Sequence, residues 1–441
     1  MNVREIVLDM LMELSKSDTY CHLLIRDVLK KYNYLEQRDK AFIKKVTEGV
    51  IERKIELDYV INLFSNTKVN KMKPLIREVL RMSVYQILYM QQVPDSAVCN
   101  EAVKLVEKRK FFNLKGFVNG VLRNIARNKD TISYTDMHIK YSMPQFLMDR
   151  LMASYDEKTV EGILASFLEE KPVSIRKKES LSDIEWEKTV VQLEKAGMEV
   201  IKHSYLPYAY ELKGAEGLAN IESFQRGDFT VQDVSSMLVA ECAGVRENRI
   251  VLDLCASPGG KSMHIAEKLK GTGYVYSFDV SEKKTEYILD NMERLGYKNV
   301  EVSVQDATVF NEELVEKGDI VLADVPCSGI GVIGKKCDIK YRINEEEIEN
   351  IVALQKQIMK NAWKYVKKGG TLIYSTCTIS REENEDMVQW IEENTPLKAE
   401  SLDAYLPKAL LSDTTKKGYL QLLPGVHKCD GFFIARLKRE D

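Results

Sequence analysis

The chain has 441 residues, 44% of them hydrophobic and 30% charged, with a formal net charge of −3. That is roughly three domains' worth of chain at about 150 residues each, and its apolar content excludes a disordered polymer. No apolar run approaches the ~18 residues of a membrane span, the N-terminus lacks a cleavable signal pattern, and eight cysteines without a C-x-x-C pair beside five histidines weigh against a disulfide framework or a structural zinc site. We therefore expect a cytoplasmic protein without a metal or a membrane partner.

Residues 1–140 hold 25 Lys+Arg against 17 Asp+Glu, whereas the remainder holds 39 against 50. A basic end joined to an acidic one suggests a module that grips a polyanion; a solvated helical surface is the plain alternative. Val3, Ile6, Val7, Met10, Leu11 and Leu14 recur at helical spacing, as do Phe42, Ile43, Val46 and Val50 and then Leu57, Val60, Ile61 and Phe64. Pro74 opens a further helix, as proline does in a first turn. Pro94 and Asp95 break the pattern before helices over about 96–109 and 113–126. Residues 1–140 thus read as an all-α bundle whose bases include Lys44, Lys45, Arg53, Lys54, Arg109, Lys110, Arg123 and Arg127.

Residues 141–230 read as a small α+β module. Helical patterns near 144–169 precede a strand in PVSIRKK, a helix over 184–196 stops at Gly197, and short strands follow around 198–202, 208–212 and 229–231. Residues 231–441 alternate strand and helix. RIVLDL, GYVYSFD, DIVLADV and GTLIYST are continuous apolar runs, as parallel strands buried on both faces require. Helices over Ser262–Leu269, Glu282–Leu295 and Glu345–Val366 separate them, and YLQLLPG with GFFIARL closes the chain as a hairpin. The expectation is a doubly wound, mostly parallel α/β domain with ligands beyond the carboxyl ends of its strands.

The sharpest segment is DLCASPGGKSMHIAE, where a strand ends in a small-residue turn from Cys255 to Gly260 and a helix follows. Glycine there lets backbone N–H groups approach a ligand, and the helix N-terminus favours an anion. A phosphate-cradling Walker loop would need glycine where Cys255 stands, which disfavours an ATPase. Asp279, one strand on, is placed to accept ribose hydroxyls, and Asp306, after the next, to hold an adenine amino group; each alone could equally be a turn or cap aspartate. SGIGVIG matches G-x-G-x-x-G at Gly329, Gly331 and Gly334, but it follows the fourth strand, so a dinucleotide site is rejected. DVPCSG and YSTCT each put a cysteine just past a strand end. A lone cysteine there is usually core filler, but two at equivalent ends, one beside Asp324, point to thiolate chemistry.

Taken together, the glycine turn, Asp279, Asp306, DVPCSG and STCT resemble the NOL1/NOP2/Sun family of RNA cytosine-5 methyltransferases. VLRMSVYQILYM, VPDSAVCNEAVKL and GFVNGVLRNI resemble the NusB-like RNA-binding region found in a bacterial branch of it. The resemblance spans nearly the whole chain. It implies a Rossmann-like methyltransferase domain behind a NusB-like bundle, and S-adenosylmethionine held by Cys255, Ala256, Ser257, Pro258, Gly259, Gly260, Lys261, Asp279, Asp306 and Asp324. It also implies Cys377 as nucleophile, Cys327 as the second cysteine that helps release the product, and Asp324 as a contact to the base. DNA cytosine methyltransferases attack instead with the cysteine of a proline–cysteine motif, so spacing alone leaves the two thiols interchangeable.

The implied chemistry needs a thiol because cytosine C5 is too electron-poor to attack a sulfonium directly. Thiolate addition at C6 makes C5 nucleophilic, and a base, which Cys327 or a water could be, then removes the C5 proton. The target must be unstacked. Small-subunit ribosomal RNA, at cytosine 967 of 16S rRNA, is the implied substrate of a monomer. A transfer RNA substrate and a non-catalytic RNA-binding factor are the rival readings. The chain departs from the family in GKKCDIKYR, where Cys337 replaces a usual proline. That cysteine is either a third thiol near the site or, the favoured reading, an inert substitution, with Lys335, Lys336, Lys340 and Arg342 expected near substrate phosphates.

Overall fold

In the computed structural model, which describes residues 2–215 and 217–440, the chain divides into two compact units. One runs to Leu168 and also takes in Ile333–Arg342; the other comprises Glu169–Val332 and the chain from Ile343 onward.

The first unit is helical: α1 (Val3–Leu14), α2 (Cys21–Lys31), α3 (Gln37–Glu52), α4 (Lys54–Phe64), α5 (Pro74–Tyr89), α6 (Asp95–Lys108), α7 (Lys115–Asn128), α8 (Met137–Lys140), α9 (Gln145–Ser154) and α10 (Glu157–Leu168). Pro74 stands at the first position of α5, where its missing N–H has no intrahelical acceptor to lose. That helix buries residues on every side. Ile76, Val79, Leu80, Met82, Val84 and Ile87 fill the core, and the guanidinium of Arg81 meets Asp58 at 2.7 and 2.6 Å and Glu78 at 2.8 Å. An arginine so placed is buried because paired carboxylates replace its water.

The helices after residue 136, expected to lie partly with the small module, group with this bundle instead. Ser142 Oγ accepts the Ile55 N–H at 2.9 Å, and Lys140 and Tyr141 meet Glu161 at 3.0 and 2.8 Å. Composition shifts near 141, but a helical apolar stripe needs another helix to cover it.

Residues 333–342 correct a second expectation. Lys340 is 2% exposed, and its Nζ donates to the carbonyl of Glu52 at 2.6 Å. Arg342 donates to the carbonyls of Asp18 and Thr19 at 2.7 and 2.6 Å. Cys337 is buried in the helical core, its Sγ 3.7 Å from the Glu48 carbonyl, while Asp338 accepts the Cys21 N–H at 2.9 Å. Lys340 and Arg342 therefore do not face substrate phosphates; Lys335 and Lys336 remain exposed. For Lys340 the physical reason is a helix end. The last turn of α3 leaves carbonyls without intrahelical donors, and a cation near that negative end satisfies them.

The second unit opens with β1 (Val173–Lys177), α11 (Asp183–Lys195), β2 (Glu199–Lys202), β3 (Ala209–Lys213), α12 (Glu222–Gln225) and β4 (Phe229–Val231). The strands form an antiparallel sheet in the order β2-β3-β1-β4, and Trp186 and Leu193 of α11 pack on Ile175, Leu212 and Phe229. A reciprocal capping box between Ser182 and Glu185 starts α11.

Beyond α13 (Val234–Ala243) come β5 (Ile250–Asp253), α14 (Gly260–Lys268), β6 (Tyr274–Asp279), α15 (Glu282–Leu295), β7 (Val300–Val304), β8 (Gly318–Asp324), α16 (Glu345–Tyr365) and β9 (Val366–Thr376). The chain ends with α17 (Glu385–Asn394), β10 (Leu397–Ala399), α18 (Asp413–Lys416), β11 (Tyr419–Leu422) and β12 (Phe432–Arg439). The sheet order is β10-β12-β9-β8-β5-β6-β7, with β11 on β12. The five strands from β9 to β7 are parallel and β12 runs against them, so a mostly parallel, doubly wound sheet is what the apolar runs specify. The order reverses between β5 and β8, where such sheets leave a crevice beyond their carboxyl ends.

Candidate active site

β5 ends at Asp253, and Leu254–Gly259 turn the chain into α14. Gly259 has φ +97°, and a Cβ there would lie 3.1 Å from Ile288 Cγ2, so both conformation and space demand glycine. The turn is tied to β6: the Ala256 N–H donates to the Phe278 carbonyl at 2.8 Å and the Ser257 N–H to Asp279 Oδ2 at 2.9 Å. Asn291 of α15 donates to the Pro258 carbonyl at 2.9 Å. Asp279 is buried and also accepts from Val280 N–H at 2.8 Å and Lys284 at 3.1 Å. Asp306, beyond β7, takes the N–H and hydroxyl of Thr308 on Oδ1 at 2.8 and 2.7 Å. Asp253, Asp279 and Asp306 thus follow three adjacent parallel strands at their carboxyl ends.

Asp253 had not been singled out in the sequence. Its Oδ2 accepts the Ser262 hydroxyl at 2.6 Å, but its buried Oδ1 has no partner. Burial, aided by the charge of Asp324, pushes its carboxyl up to about 7 against the pull of Ser262 and Lys261. An orphaned carboxylate oxygen beside a glycine turn, with two more acids on neighbouring strand ends, suits a ligand that brings its own cation and hydroxyls. The donor set therefore fits the expected cofactor. Burial and the charges of Asp253, Asp279 and Asp324 push the Cys255 thiol up, so that cysteine is no nucleophile.

Lys261 belongs to the first turn of α14, but its side chain leaves the turn. Nζ donates to Asp324 Oδ2 at 2.7 Å and lies 5.2 Å from the Phe432 ring centroid. Burial works to discharge this amine, yet the charges of Asp324, Asp253 and Cys377 outweigh it and hold the proton more tightly than usual. The other carboxylate oxygen of Asp324 accepts the Ser375 hydroxyl at 2.7 Å.

Asp324 ends β8 and Cys327 follows three residues later; Thr376 ends β9 and Cys377 is next. The two sulfurs are 3.2 Å apart, and the Cys377 N–H donates to Cys327 Sγ at 3.3 Å. Both residues are half-buried. The thiol–thiol hydrogen bond with Cys377, burial, and the charges of Cys377 and Glu383 push the Cys327 thiol well up, against the pull of the Cys377 backbone N–H. Parallel strands one register apart deliver this pair, since Asp324 lies opposite Ser375 across the ladder.

Gly329 and Gly331, part of the rejected dinucleotide pattern, serve this loop instead. The Gly331 N–H donates to the Cys377 carbonyl at 3.1 Å, and a Cβ on Gly331 would lie 2.2 Å from the Gly431 carbonyl oxygen. Gly334 belongs to the helical unit, so the motif is not one turn at all. Among the described residues no group of histidines, cysteines and acids could hold a metal ion, and no helix is long and apolar enough to cross a membrane.

Residues 242–438 match the family model "16S rRNA methyltransferase RsmB/F", and residues 1–127 match the NusB family. The chain is 34% identical to the probable ribosomal RNA small subunit methyltransferase B of Bacillus subtilis, over 100% of this chain and 99% of that one. It is 30% identical to the ribosomal RNA small subunit methyltransferase B of Escherichia coli, over 91% of each. Among solved structures, that of PH0851 aligns over 100% of this chain and 99% of its own, with a TM-score of 0.81 and 25% identity.

Proposed function

The chain belongs to the RsmB family of ribosomal RNA small subunit methyltransferases, and from that premise we propose that it methylates C5 of a cytosine in 16S rRNA through a covalent bond between Cys377 and C6. Its cofactor is S-adenosylmethionine, which supplies the methyl group from a sulfonium. The observation that carries the reading is the 3.2 Å approach of two thiols beyond adjacent strand ends, beside a lysine–aspartate pair.

Each group then has work that follows from its place. Residues Cys255–Gly260 with Asp253, Asp279 and Asp306 would hold the cofactor, the acids being suited to its hydroxyls, amino group and cation. Cys377 adds to C6, and the C5–C6 electrons move onto the ring, with charge developing at N3. Asp324 and Lys261, locked together at 2.7 Å, present a carboxylate and an ammonium to the base edge. The ammonium is the stronger source of a hydrogen bond to the developing charge. After C5 is methylated, a water takes the C5 proton, the C5–H electrons restore the C5–C6 double bond, the C6–Sγ bond breaks and its electron pair returns to Cys377. Cys327, in contact with that sulfur, assists this release. A base must be unstacked to lie over these sulfurs, which favours naked or loop RNA.

Exposed Lys44, Lys45, Arg123 and Arg127 of the helical unit supply phosphate contacts in this reading, and the protein works as a cytoplasmic monomer. The test is to incubate it with labelled cofactor and unassembled 16S rRNA, then map methylated cytosine by bisulfite sequencing. Label at C5 of one cytosine, cytosine 967 above all, is the expected result. No label on any RNA would leave only an RNA binder.

A further inference from the structure

One buried carboxylate outside the expected site touches both cysteine loops. Glu383, 0% exposed, follows β9 by seven residues. Its Oε2 accepts the backbone N–H of Ser328 at 2.9 Å and Gln355 Nε2 at 3.1 Å, and its Oε1 accepts the Ser328 hydroxyl at 2.5 Å. The Thr378 hydroxyl lies 2.7 Å from the Ser328 oxygen, and since the Ser328 hydrogen goes to Glu383, Thr378 is the donor of that contact. Gln355 additionally holds the Pro326 carbonyl at 2.9 Å, and the Tyr374 hydroxyl binds the Glu383 carbonyl at 2.6 Å. Ser328 is the neighbour of Cys327 and Thr378 the neighbour of Cys377. Added to the β8–β9 register, this side chain ties together the residues that follow the two sulfurs.

The surrounding charges are divided between the two thiols. Cys377, Glu383 and Tyr374 are titratable groups that act on Cys327; burial pushes the Glu383 carboxyl up, while the hydrogen bonds it accepts favour its charged form. The cation of the site, Lys261, acts on Cys377, although its charge is shared with Asp324 at 2.7 Å. An anion favours a neutral thiol beside it and a cation favours a thiolate.

We propose that Glu383 is a positioning residue: it locks the two cysteine loops together and keeps on Cys327 the one proton that the sulfur pair retains, so that Cys377 is the thiolate that attacks. This rests on the reading of the site as a cytosine-5 methyltransferase. Of the two thiol protons, one leaves to solvent and the other bridges from Cys327 to Cys377, across the 3.2 Å contact. Spacing left the two cysteines interchangeable; this arrangement gives them different tasks.

The test needs no RNA. The full-length protein is alkylated with iodoacetamide over pH 6–10, and the rates at Cys327 and Cys377 are read separately by peptide mass spectrometry. In the wild type Cys377 reacts faster and titrates at lower pH. Glu383→Gln, which keeps the shape and removes the charge, speeds Cys327 selectively. The gain is about threefold per pK unit, because the larger thiolate fraction is partly offset by weaker nucleophilicity. A merely structural role would speed both thiols alike, and that outcome, or no change, overturns the proposal. Should the variant not fold, the wild-type profile still decides: Cys327 titrating below Cys377 sinks it. Absence of methyl transfer by the wild type would remove the methyltransferase reading while leaving the alkylation result to judge Glu383 on its own.

Discussion

Lys261 Nζ and Asp324 Oδ2 are 2.7 Å apart, joining the first turn of α14 to the end of β8 across the point where the strand order reverses. Neither residue is near the other in sequence, and each is mostly shielded from water. The pair therefore ties α14 to β8 and sets opposite charges side by side beyond the strand ends.

Removing one partner should cost more than removing a surface bridge, because it strands a shielded charge. For Lys261→Met we expect a loss of about 1–3 kcal/mol in stability, below the full penalty of a wholly buried pair. Methyl transfer should fall at least about a hundredfold, as for loss of a preorganised donor. Chemical denaturation and label transfer measure the two effects. Transfer unchanged in a folded Lys261→Met protein would remove the ammonium from the proposed chemistry.

The two cysteines should fail in different ways. Cys377→Ala abolishes transfer. Cys327→Ala lets the adduct form but slows its release, giving a slow protein–RNA band on a denaturing gel. Were the band to appear with the first variant and not the second, the roles of the two thiols would be exchanged.

Asp253 should make stability depend on pH. The folded chain keeps on this carboxyl, pushed up to about 7, a proton that the unfolded chain releases above 3.8. Between those values the folded state binds more protons, so the stability from this group falls as pH rises, by roughly 1 kcal/mol per pH unit. Above 7 the loss is complete and constant. Asp253→Asn should therefore melt higher than the wild type at pH 8, without cofactor, with the gap closing towards pH 4. A gap that does not vary with pH would contradict the assignment.

Cys337 packs as a small hydrophobe against Cys21 in the helical core, consistent with the inert role read from sequence. Cys337→Ala should lower stability by about 1 kcal/mol through the small void it leaves, with label transfer to 16S rRNA unchanged. A drop in transfer without a drop in melting temperature would instead tie this segment to catalysis.

Much of the site could be read from sequence because its parts are local. Runs such as DIVLADV and GTLIYST specify buried parallel strands, and whatever follows them must emerge at the carboxyl edge, which fixed Cys327, Cys377, Asp279 and Asp306 to one side. The glycine turn was legible for the same reason, since its conformation is set by its own residues. α2, α13 and α17 went unmarked, while the other long helices and the closing hairpin were legible from apolar spacing with proline and glycine punctuation. The role of Glu383 was not, although REENE after STCT carried the signal of an acid close to a cysteine. Its meaning depends on Ser328 and Gln355, distant in the chain and brought to it only by the packing of α16 and β8. Nor did GKKCDIKYR disclose that Lys340 would be buried: a lysine reads as exposed until a helix end offers it carbonyls. Sequence by itself determined which residues stand at strand ends, because backbone periodicity is a short-range property. Which of those residues touch only the tertiary structure decided, because contacts between residues far apart in the chain are chosen by distance in space.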